Sequence, residues 1–264
     1  MAIYAVGDIH GHLDKLDRAL ALIEADGGPE AQIVFLGDYV DRGPDSRGVL
    51  QRLIDGRDGG KPWRFVRGNH DRMFLNFLNV AEIHDPQIKS GISWLNPRLG
   101  GDGTIASYGL SGAAQFLSPG TGGRETLVSY HLKGSSRLGL HELVEHAGEV
   151  VPQEHRAFIA QSELFVELGA FLFVHAGIRP GVALSEQNEE DLIWIRDGWL
   201  DYTGTLPWLV VHGHTAMEAP VHHGNRVNLD GGAAYGRPLV PAVFDEGRVW
   251  TLDEAGRQPL ISAG

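Results

Sequence analysis

Five short motifs place metal-seeking side chains beside glycine along the chain. They are Gly-Asp-Ile-His-Gly at 7–11, Gly-Asp-Tyr-Val-Asp-Arg-Gly at 37–43, Gly-Asn-His-Asp at 68–71, His-Ala-Gly at 175–177 and Gly-His-Thr at 213–215. Together they offer carboxylate, amide and imidazole ligands: Asp8, His10, Asp38, Asn69, His175 and His214. Mixed nitrogen and oxygen ligands suit Mn, Fe or Zn better than Ca. We therefore predict two divalent metal ions, with Mn as first choice, and phosphate ester chemistry.

Proton transfer and phosphate binding require other side chains near these ligands. We expect His70 to donate a proton to the leaving oxygen without binding metal. Asp41 is predicted to accept a hydrogen bond from His70 and to raise its pKa; the alternative is a structural turn aspartate. Arg42 is predicted to bind the substrate phosphate, because its guanidinium fork matches the phosphate oxygens, and Asn69 is predicted to contact the phosphate as well. On the residues alone, Arg196 suits either phosphate binding or a surface charge.

The elements that must position these residues begin with alternating strands and helices over 1–78. Apolar runs at 3–6, 33–36 and 63–66 each lead into one of the first three motifs. Leucines and isoleucines at helical spacing follow the first motif, and a second helix is predicted from about Ser46. Such units form a largely parallel sheet, and ligands bind at the carboxyl ends of its strands. Loops distant in sequence should therefore converge on one site.

The segment 79–150 is rich in Gly, Ser and His, with glycine pairs at 100–101 and 122–123. We predict a mostly helical insertion over the site, with helical stretches around 90–95 and 138–146. It is either a substrate-selecting cap or surface elaboration. A helix at 153–162 and strands at 164–168, 170–174, 208–211, 227–229, 239–244 and 248–252 complete the expected architecture. This is an α/β (α+β) sandwich of two mixed sheets flanked by helices in four layers, a single domain over 1–264.

Composition limits the classes of partner. The 264 residues carry a formal charge of −12, which argues against broad nucleic-acid binding. Cysteine is absent, which excludes disulfides and thiolate metal sites. No run of about 18 apolar residues predicts a membrane span, and no signal peptide is expected. We expect a cytoplasmic protein that binds neither nucleic acid nor membrane, and the oligomeric state stays open.

The motifs resemble those of the phosphoprotein phosphatase family of calcineurin-like metallophosphoesterases, in particular its small bacterial and phage-type serine/threonine protein phosphatases. The segments at 100–109, 175–181, 191–196 and 212–215 are also similar to bacterial members. The resemblance implies two ions that share Asp38, with Asp8 and His10 on one and Asn69, His175 and His214 on the other. It implies His70 as acid, Asp41 as its partner, Arg42 and Arg196 as phosphate ligands, and direct attack by metal-bound hydroxide.

Three positions bear on the substrate class. Asp71 stands where many eukaryotic members carry Glu, which resembles the symmetrical diadenosine tetraphosphate hydrolases. Asp41 stands where that branch typically has Ala, which favours phosphoprotein or phosphomonoester substrates. Ala216 replaces the last histidine usual in wider phosphodiesterase relatives. The leading expectation is a serine/threonine protein phosphatase, the alternative is a bis(5'-nucleosyl)-tetraphosphatase, and a non-catalytic phosphoprotein-binding module is the third.

Overall fold

The computed structural model describes residues 2–110 and 135–262, which form two stacked β-sheets flanked by helices. The first sheet has the order β11-β10-β9-β1-β2-β3 and the second has the order β4-β5-β6-β8-β7. The strands are β1 (Ile3–Val6), β2 (Gln32–Phe35), β3 (Trp63–Phe65), β4 (Phe165–Leu168), β5 (Phe171–Val174), β6 (Leu209–His212), β7 (Val221–His222), β8 (Arg226–Asn228), β9 (Ala242–Asp245), β10 (Arg248–Asp253) and β11 (Gly256–Pro259).

Parallel pairing at the centre of each sheet brings the motif-bearing ends together. In the first sheet β1, β2 and β3 run parallel, with Val6 opposite Phe35 at the end of the β1–β2 register. In the second sheet β5, β6 and β8 run parallel. Antiparallel strands complete both sheets: β9, β10 and β11 on one side of the first, and the two edge strands β4 and β7 of the second. Both sheets are therefore mixed, as predicted.

Both faces of the first sheet are buried, and alternate residues of its strands pack on opposite faces. On β2, Ile33 and Phe35 pack into the cluster under the helices, whereas Val34 packs with residues of the second sheet such as Phe173. This split follows from the two-residue period of a strand. A third cluster, which includes Trp199, covers the outer face of the second sheet. The layers confirm the predicted sandwich of two mixed sheets flanked by helices.

Seven α-helices are described, and two of them begin at the residues predicted from the sequence, Ser46 and Gln153. They are α1 (Leu13–Gly27), α2 (Ser46–Asp58), α3 (Asn69–Val80), α4 (Gly101–Ser107), α5 (Ser135–Val150), α6 (Gln153–Gln161) and α7 (Glu189–Trp194). None of the helices in the described part is long and apolar enough to cross a membrane. The short strands β7 and β11 were not predicted, because neither has an apolar alternation that stands out.

The segment 79–150 is less helical than predicted where it is described. Residues 81–100 are turns and irregular backbone, so the helix predicted around 90–95 is wrong. Tertiary contacts explain this difference. The backbone N–H of Trp94 donates to the Ile83 carbonyl at 2.7 Å, and the Trp94 indole packs on Phe77 with ring centroids 5.0 Å apart. The predicted stretch at 138–146 falls inside α5. Residues 111–134, including the glycine pair at 122–123, lie outside the described residues.

Candidate metal centre and phosphate cleft

The five motifs converge at the carboxyl ends of parallel strands. Asp8 and His10 follow β1, Asp38 follows β2, and Asn69 opens α3 just after β3. The second sheet contributes two histidines after β5 and β6, which are His175 and His214. All ten predicted site residues lie together in one region. Their catalytic and ligand roles stay predictions.

One candidate ion position lies among Asp8, Asp38 and His175, which offer ligand atoms within 4.8 Å of one another. The His214 backbone N–H donates to both Asp8 carboxylate oxygens at 3.1 Å and so orients them. The neighbouring Gly213 permits this approach, since a β-carbon there would lie 1.9 Å from Asp8 Oδ1. Glycine is therefore a packing requirement of this motif.

A second candidate position lies among His10, Asp38 and His70, again within 4.8 Å. Asp38 belongs to both groups, which fits its predicted bridging role. The structure also places His70 within reach of an ion, although we expected it to stay free of metal. Its Nδ1 lies 2.6 Å from Asp41 Oδ2, so its Nε2 alone is available. Because that nitrogen would also donate the proton, the two roles exclude each other.

Hydrogen bonds to carbonyls decide which imidazole nitrogens can bind a cation. His10 Nδ1 lies 2.9 Å from the Val40 oxygen, and His175 Nδ1 lies 2.8 Å from the Leu36 oxygen. A carbonyl only accepts, so both Nδ1 atoms carry hydrogen and a neutral ring then has a lone pair on Nε2. In the present orientation of the Asn69 amide, its oxygen lies 2.9 Å from His175 Nε2. Two facing lone pairs repel, and a cation between them would relieve the repulsion.

The electrostatics of the buried groups also fit bound cations. Burial raises the pKa of Asp8 well above its usual range and raises the pKa of Asp38 to about 7. Burial also lowers the pKa of His175 to about 4 and lowers the pKa of His10 strongly. Clustered carboxylates and neutral imidazoles form a ligand set that a divalent ion would stabilise.

The pKa of His70 differs from the expectation. We expected Asp41 to raise it, but burial and the nearby Arg42 guanidinium lower it well below its usual range. Burial likewise raises the pKa of Asp41, while hydrogen bonds from Thr104 and Trp94 act in the opposite direction. The contact between His70 and Asp41 is as predicted, but desolvation outweighs it. A negatively charged phosphate beside His70 would raise its pKa again.

Backbone strain is concentrated in this region. Among the described residues with positive φ that are not glycine, five belong to the predicted site: His10, Asp38, Asp41, Arg42 and His214, with φ between 48° and 73°. The left-handed conformation costs an L-residue on the order of 1–3 kcal/mol. Such strain persists only where the surrounding structure holds it, and it is typical of ligand and catalytic positions.

The two arginines predicted to bind phosphate lie at different depths. Arg42 Nη1 and Nη2 lie 2.6 Å from His10 Nε2 and 2.9 Å from His70 Nε2. An ion held by His10 would use that same lone pair and displace the guanidinium contact. Arg196 is exposed and approaches the His214 carbonyl at 3.5 Å. Both line a cleft of about 590 Å³, together with Lys89, Arg179 and Trp194.

The sequence reasoning missed the role of two carboxylates. Asp230 is 5% exposed and lies near Asp8, whose pKa it raises further. It follows β8 and precedes glycine, the pattern of the other motifs, so the same criterion would have found it. Asp71 faces away from the cleft and accepts the backbone N–H groups of Asp38, Tyr39 and Gly68, each at 2.9 Å. It therefore shapes the loop after β2 and does not line the cleft.

His212 and Tyr235, two further side chains near the site, differ in burial. His212 is fully buried against Trp199, with ring centroids 5.6 Å apart, and does not line the cleft. Tyr235 is 61% exposed, and the Arg42 guanidinium lies 5.7 Å from its ring centroid. The Tyr235 ring therefore lies at the edge of the site and not in the core.

A sequence model of the family described as calcineurin-like phosphoesterase matches residues 1–240. The chain belongs to this family, which confirms the resemblance of the motifs. Membership makes the chain a metal-dependent phosphoesterase in the broad sense.

Two similar proteins are named bis(5'-nucleosyl)-tetraphosphatases. The chain is 26% identical over 285 residues to the asymmetrical bis(5'-nucleosyl)-tetraphosphatase PrpE of Halalkalibacterium halodurans, a match that covers 97% of this chain and 95% of that protein. It is 43% identical over 81 residues to a symmetrical bis(5'-nucleosyl)-tetraphosphatase of Janthinobacterium sp. (strain Marseille), covering 31% of this chain and 27% of that protein. The chain thus spans about a quarter of the symmetrical relative's length.

A solved structure supports the fold at lower sequence similarity. The cold-active protein-tyrosine phosphatase of a psychrophilic Shewanella species aligns with a TM-score of 0.60 and 16% identity, over 98% of this chain and 80% of that one. This likeness concerns the fold alone.

Proposed function

We propose that this chain hydrolyses dinucleoside tetraphosphates with the help of divalent metal ions. Mn is the first choice of metal, because the predicted ligands combine nitrogen and oxygen atoms. The observation that carries the substrate class is the similarity to a bis(5'-nucleosyl)-tetraphosphatase over 97% of the chain. This reverses the order expected from the sequence, in which the serine/threonine phosphatase came first. The non-catalytic binding module is disfavoured because every predicted catalytic residue is present in the cleft region.

The cleft has features that suit a nucleoside polyphosphate. Its volume of about 590 Å³ lies within the range of pockets for small ligands, about 300–1,000 Å³. Arg42 at the inner end and Arg196 on the wall supply guanidinium forks for successive phosphates. Trp194 and Ile88 line the same cleft and offer apolar surface for a nucleobase. Polyphosphate and base would therefore meet side chains of matching chemistry.

Each residue then has a defined part in the reaction. Bound ions would lower the pKa of a water nucleophile and polarise the phosphoryl oxygen. Arg42, Asn69 and Arg196 hold the phosphate and stabilise charge in the transition state. A protonated His70 transfers the hydrogen on Nε2 to the leaving oxygen as the P–O bond breaks. The ring is left neutral, and Asp41 keeps the hydrogen on Nδ1 in place.

A second candidate, hydrolysis of phosphoserine or phosphothreonine esters, is favoured by one specific contact. Asp41 and His70 lie 2.6 Å apart in a buried pair. An alkoxide leaving group is strongly basic and needs a proton, whereas a nucleoside phosphate leaves readily as an anion. A well-ordered acid is therefore of more use with phosphoprotein substrates. The same cleft would accept the phosphorylated side chain.

Parallel assays separate the candidates. The purified chain with Mn is given diadenosine tetraphosphate and a phosphothreonine peptide, and the products are resolved by anion-exchange chromatography. ADP alone indicates symmetrical cleavage, and ATP with AMP indicates asymmetrical cleavage. Turnover of the peptide but not of the dinucleotide would refute the leading substrate class. Asp38→Asn, purified in the same way, controls for contaminating phosphatases, and no turnover of either substrate or of p-nitrophenyl phosphate would refute the hydrolase itself.

A further inference from the structure

Two side chains from the segment 79–110 contact the Asp41 carboxylate. The Trp94 Nε1–H donates to Oδ2 at 2.7 Å, and the Thr104 hydroxyl donates to Oδ1 at 2.6 Å. These residues lie 53 and 63 positions along the chain from Asp41. All three are almost fully buried, with exposures of 1%, 0% and 0% for Trp94, Thr104 and Asp41. Bulk water therefore cannot readily replace either donor.

The same segment supports the backbone of Asp41 and its neighbour. The Asp41 N–H donates to Thr104 Oγ1 at 2.8 Å, and the Arg42 N–H donates to the Gly100 oxygen at 3.3 Å. Both Asp41 and Arg42 are in the left-handed region, with φ of 73° and 66°. A β-carbon on Gly100 would lie 2.1 Å from the Arg42 nitrogen, so only glycine allows this approach. The strained pair is thus held from the side of the insertion.

Helix α3 completes a closed set of contacts. The Trp94 ring packs against Phe74 and Phe77 of α3, with centroid distances of 5.7 and 5.0 Å. His70 lies in the first turn of the same helix, and its Nδ1 meets Asp41 Oδ2, the oxygen that accepts from Trp94. The helix therefore orients the indole and the imidazole together. Any tilt of the carboxylate would have to break contacts on both sides.

We propose that Trp94 and Thr104 are positioning residues for proton donation by His70. Their two donors fix the rotation of the Asp41 carboxylate, so one oxygen lone pair points at His70 Nδ1 and His70 Nε2 points into the cleft. This inference rests on the proposed hydrolysis of phosphoric esters with His70 as acid. It gives the segment 79–110 a positioning role in proton donation, which matters most for esters with a basic leaving group.

The test uses variants that remove one donor while keeping an aromatic ring at position 94 and the branched side-chain shape at position 104. Trp94→Phe deletes the indole N–H, and Thr104→Val replaces the hydroxyl with a methyl group. Trp208→Phe is the matched control, because its Nε1–H donates to Glu167 at 2.8 Å at an exposed position outside the cleft. Thr104→Ser retains a hydroxyl and is the rescue variant.

The first readout is kcat for a series of aryl and alkyl phosphates with Mn. General acids contribute about 100- to 10,000-fold to such reactions, and we expect each donor deletion to lose about 10-fold of this with phenyl phosphate or poorer leaving groups. The loss should shrink to less than about 3-fold with p-nitrophenyl phosphate, and KM should stay nearly constant. A uniform loss on all esters, or none, would overturn the proposal. Thr104→Ser and Trp208→Phe should match the wild type.

The second readout does not depend on turnover. The hydrogen between His70 Nδ1 and Asp41 should give a downfield proton NMR signal, assigned by its disappearance in His70→Asn. We expect Trp94→Phe and Thr104→Val to shift or broaden this signal, and Trp208→Phe to leave it unchanged. An unchanged signal in both donor variants would refute the positioning role. A wild type that hydrolyses no ester but shows the shifts would refute the proposed function while the positional coupling stands.

Discussion

Asp38→Asn should separate the stability of the fold from its capacity to bind metal. The substitution keeps the side-chain shape, and the amide oxygen can still accept the His70 N–H, which lies 3.0 Å from Asp38 Oδ1. It removes a buried negative charge and one ligand shared by both candidate ion positions. We expect the metal-free variant to be more stable than the wild type at neutral and alkaline pH, but to bind Mn weakly and to lose nearly all turnover.

The size of the stability difference follows from the pKa of Asp38. Burial raises it from 3.8 to about 7, so in that window the folded protein holds a proton that the unfolded chain has released. The contribution of Asp38 to wild-type stability therefore falls as pH rises from 3.8, and this loss levels off above about 7. At about 1.4 kcal/mol for each pKa unit, the loss reaches at most about 4 kcal/mol. Asparagine does not titrate, so Asp38→Asn avoids this pH-dependent loss of stability.

Urea denaturation of the chelator-treated proteins at pH 5 and pH 8 measures this difference. The advantage of Asp38→Asn should be larger at pH 8, and added Mn should stabilise the wild type much more than the variant. Asp197→Asn is the matched control, since its side chain is 97% exposed at the rim of the same cleft. A variant that is less stable than the wild type at pH 8 without metal would refute the reasoning. So would an advantage that does not change with pH.

Three other substitutions test separate parts of the site. His70→Asn should leave Mn binding intact, as judged by calorimetry. It should lower kcat by about 100-fold or more on alkyl phosphates but less on p-nitrophenyl phosphate. Loss of one equivalent of Mn would instead make His70 a ligand. Asp71→Glu should cost about 1–3 kcal/mol in urea denaturation, because an extra methylene enters a fully buried position. The ratio of dinucleotide to phosphopeptide turnover should not change, and a reversed ratio would contradict the backbone role of Asp71. Arg196→Lys should raise KM more than it lowers kcat, since the proposed bidentate contact with the substrate phosphate at the cleft wall is lost. Unchanged steady-state kinetics would place Arg196 outside the phosphate site.

Much of the fold was predictable because its signals are local. Apolar runs that end at glycine-flanked motifs identify β1, β2, β5 and β6, and helical spacing identifies α1. The failure at 90–95 has a physical cause. No helical hydrogen-bonding pattern forms there, and the chain instead carries Trp94 onto α3, a distant contact that leaves no local pattern.

By itself, the sequence determined the chemical types of the ligands and the end of the strand on which each one lies. Parallel strands aligned in sheets then bring Asp8, Asp38 and His175 together, an outcome that the strand pattern implies. The orientation and charge of these groups depend on contacts between distant parts of the chain. Burial sets their pKa values, and carbonyls select the free imidazole nitrogens. Trp94 and Thr104 reach Asp41 from more than fifty residues away, because side-chain contacts of that range depend on the packing of the whole fold.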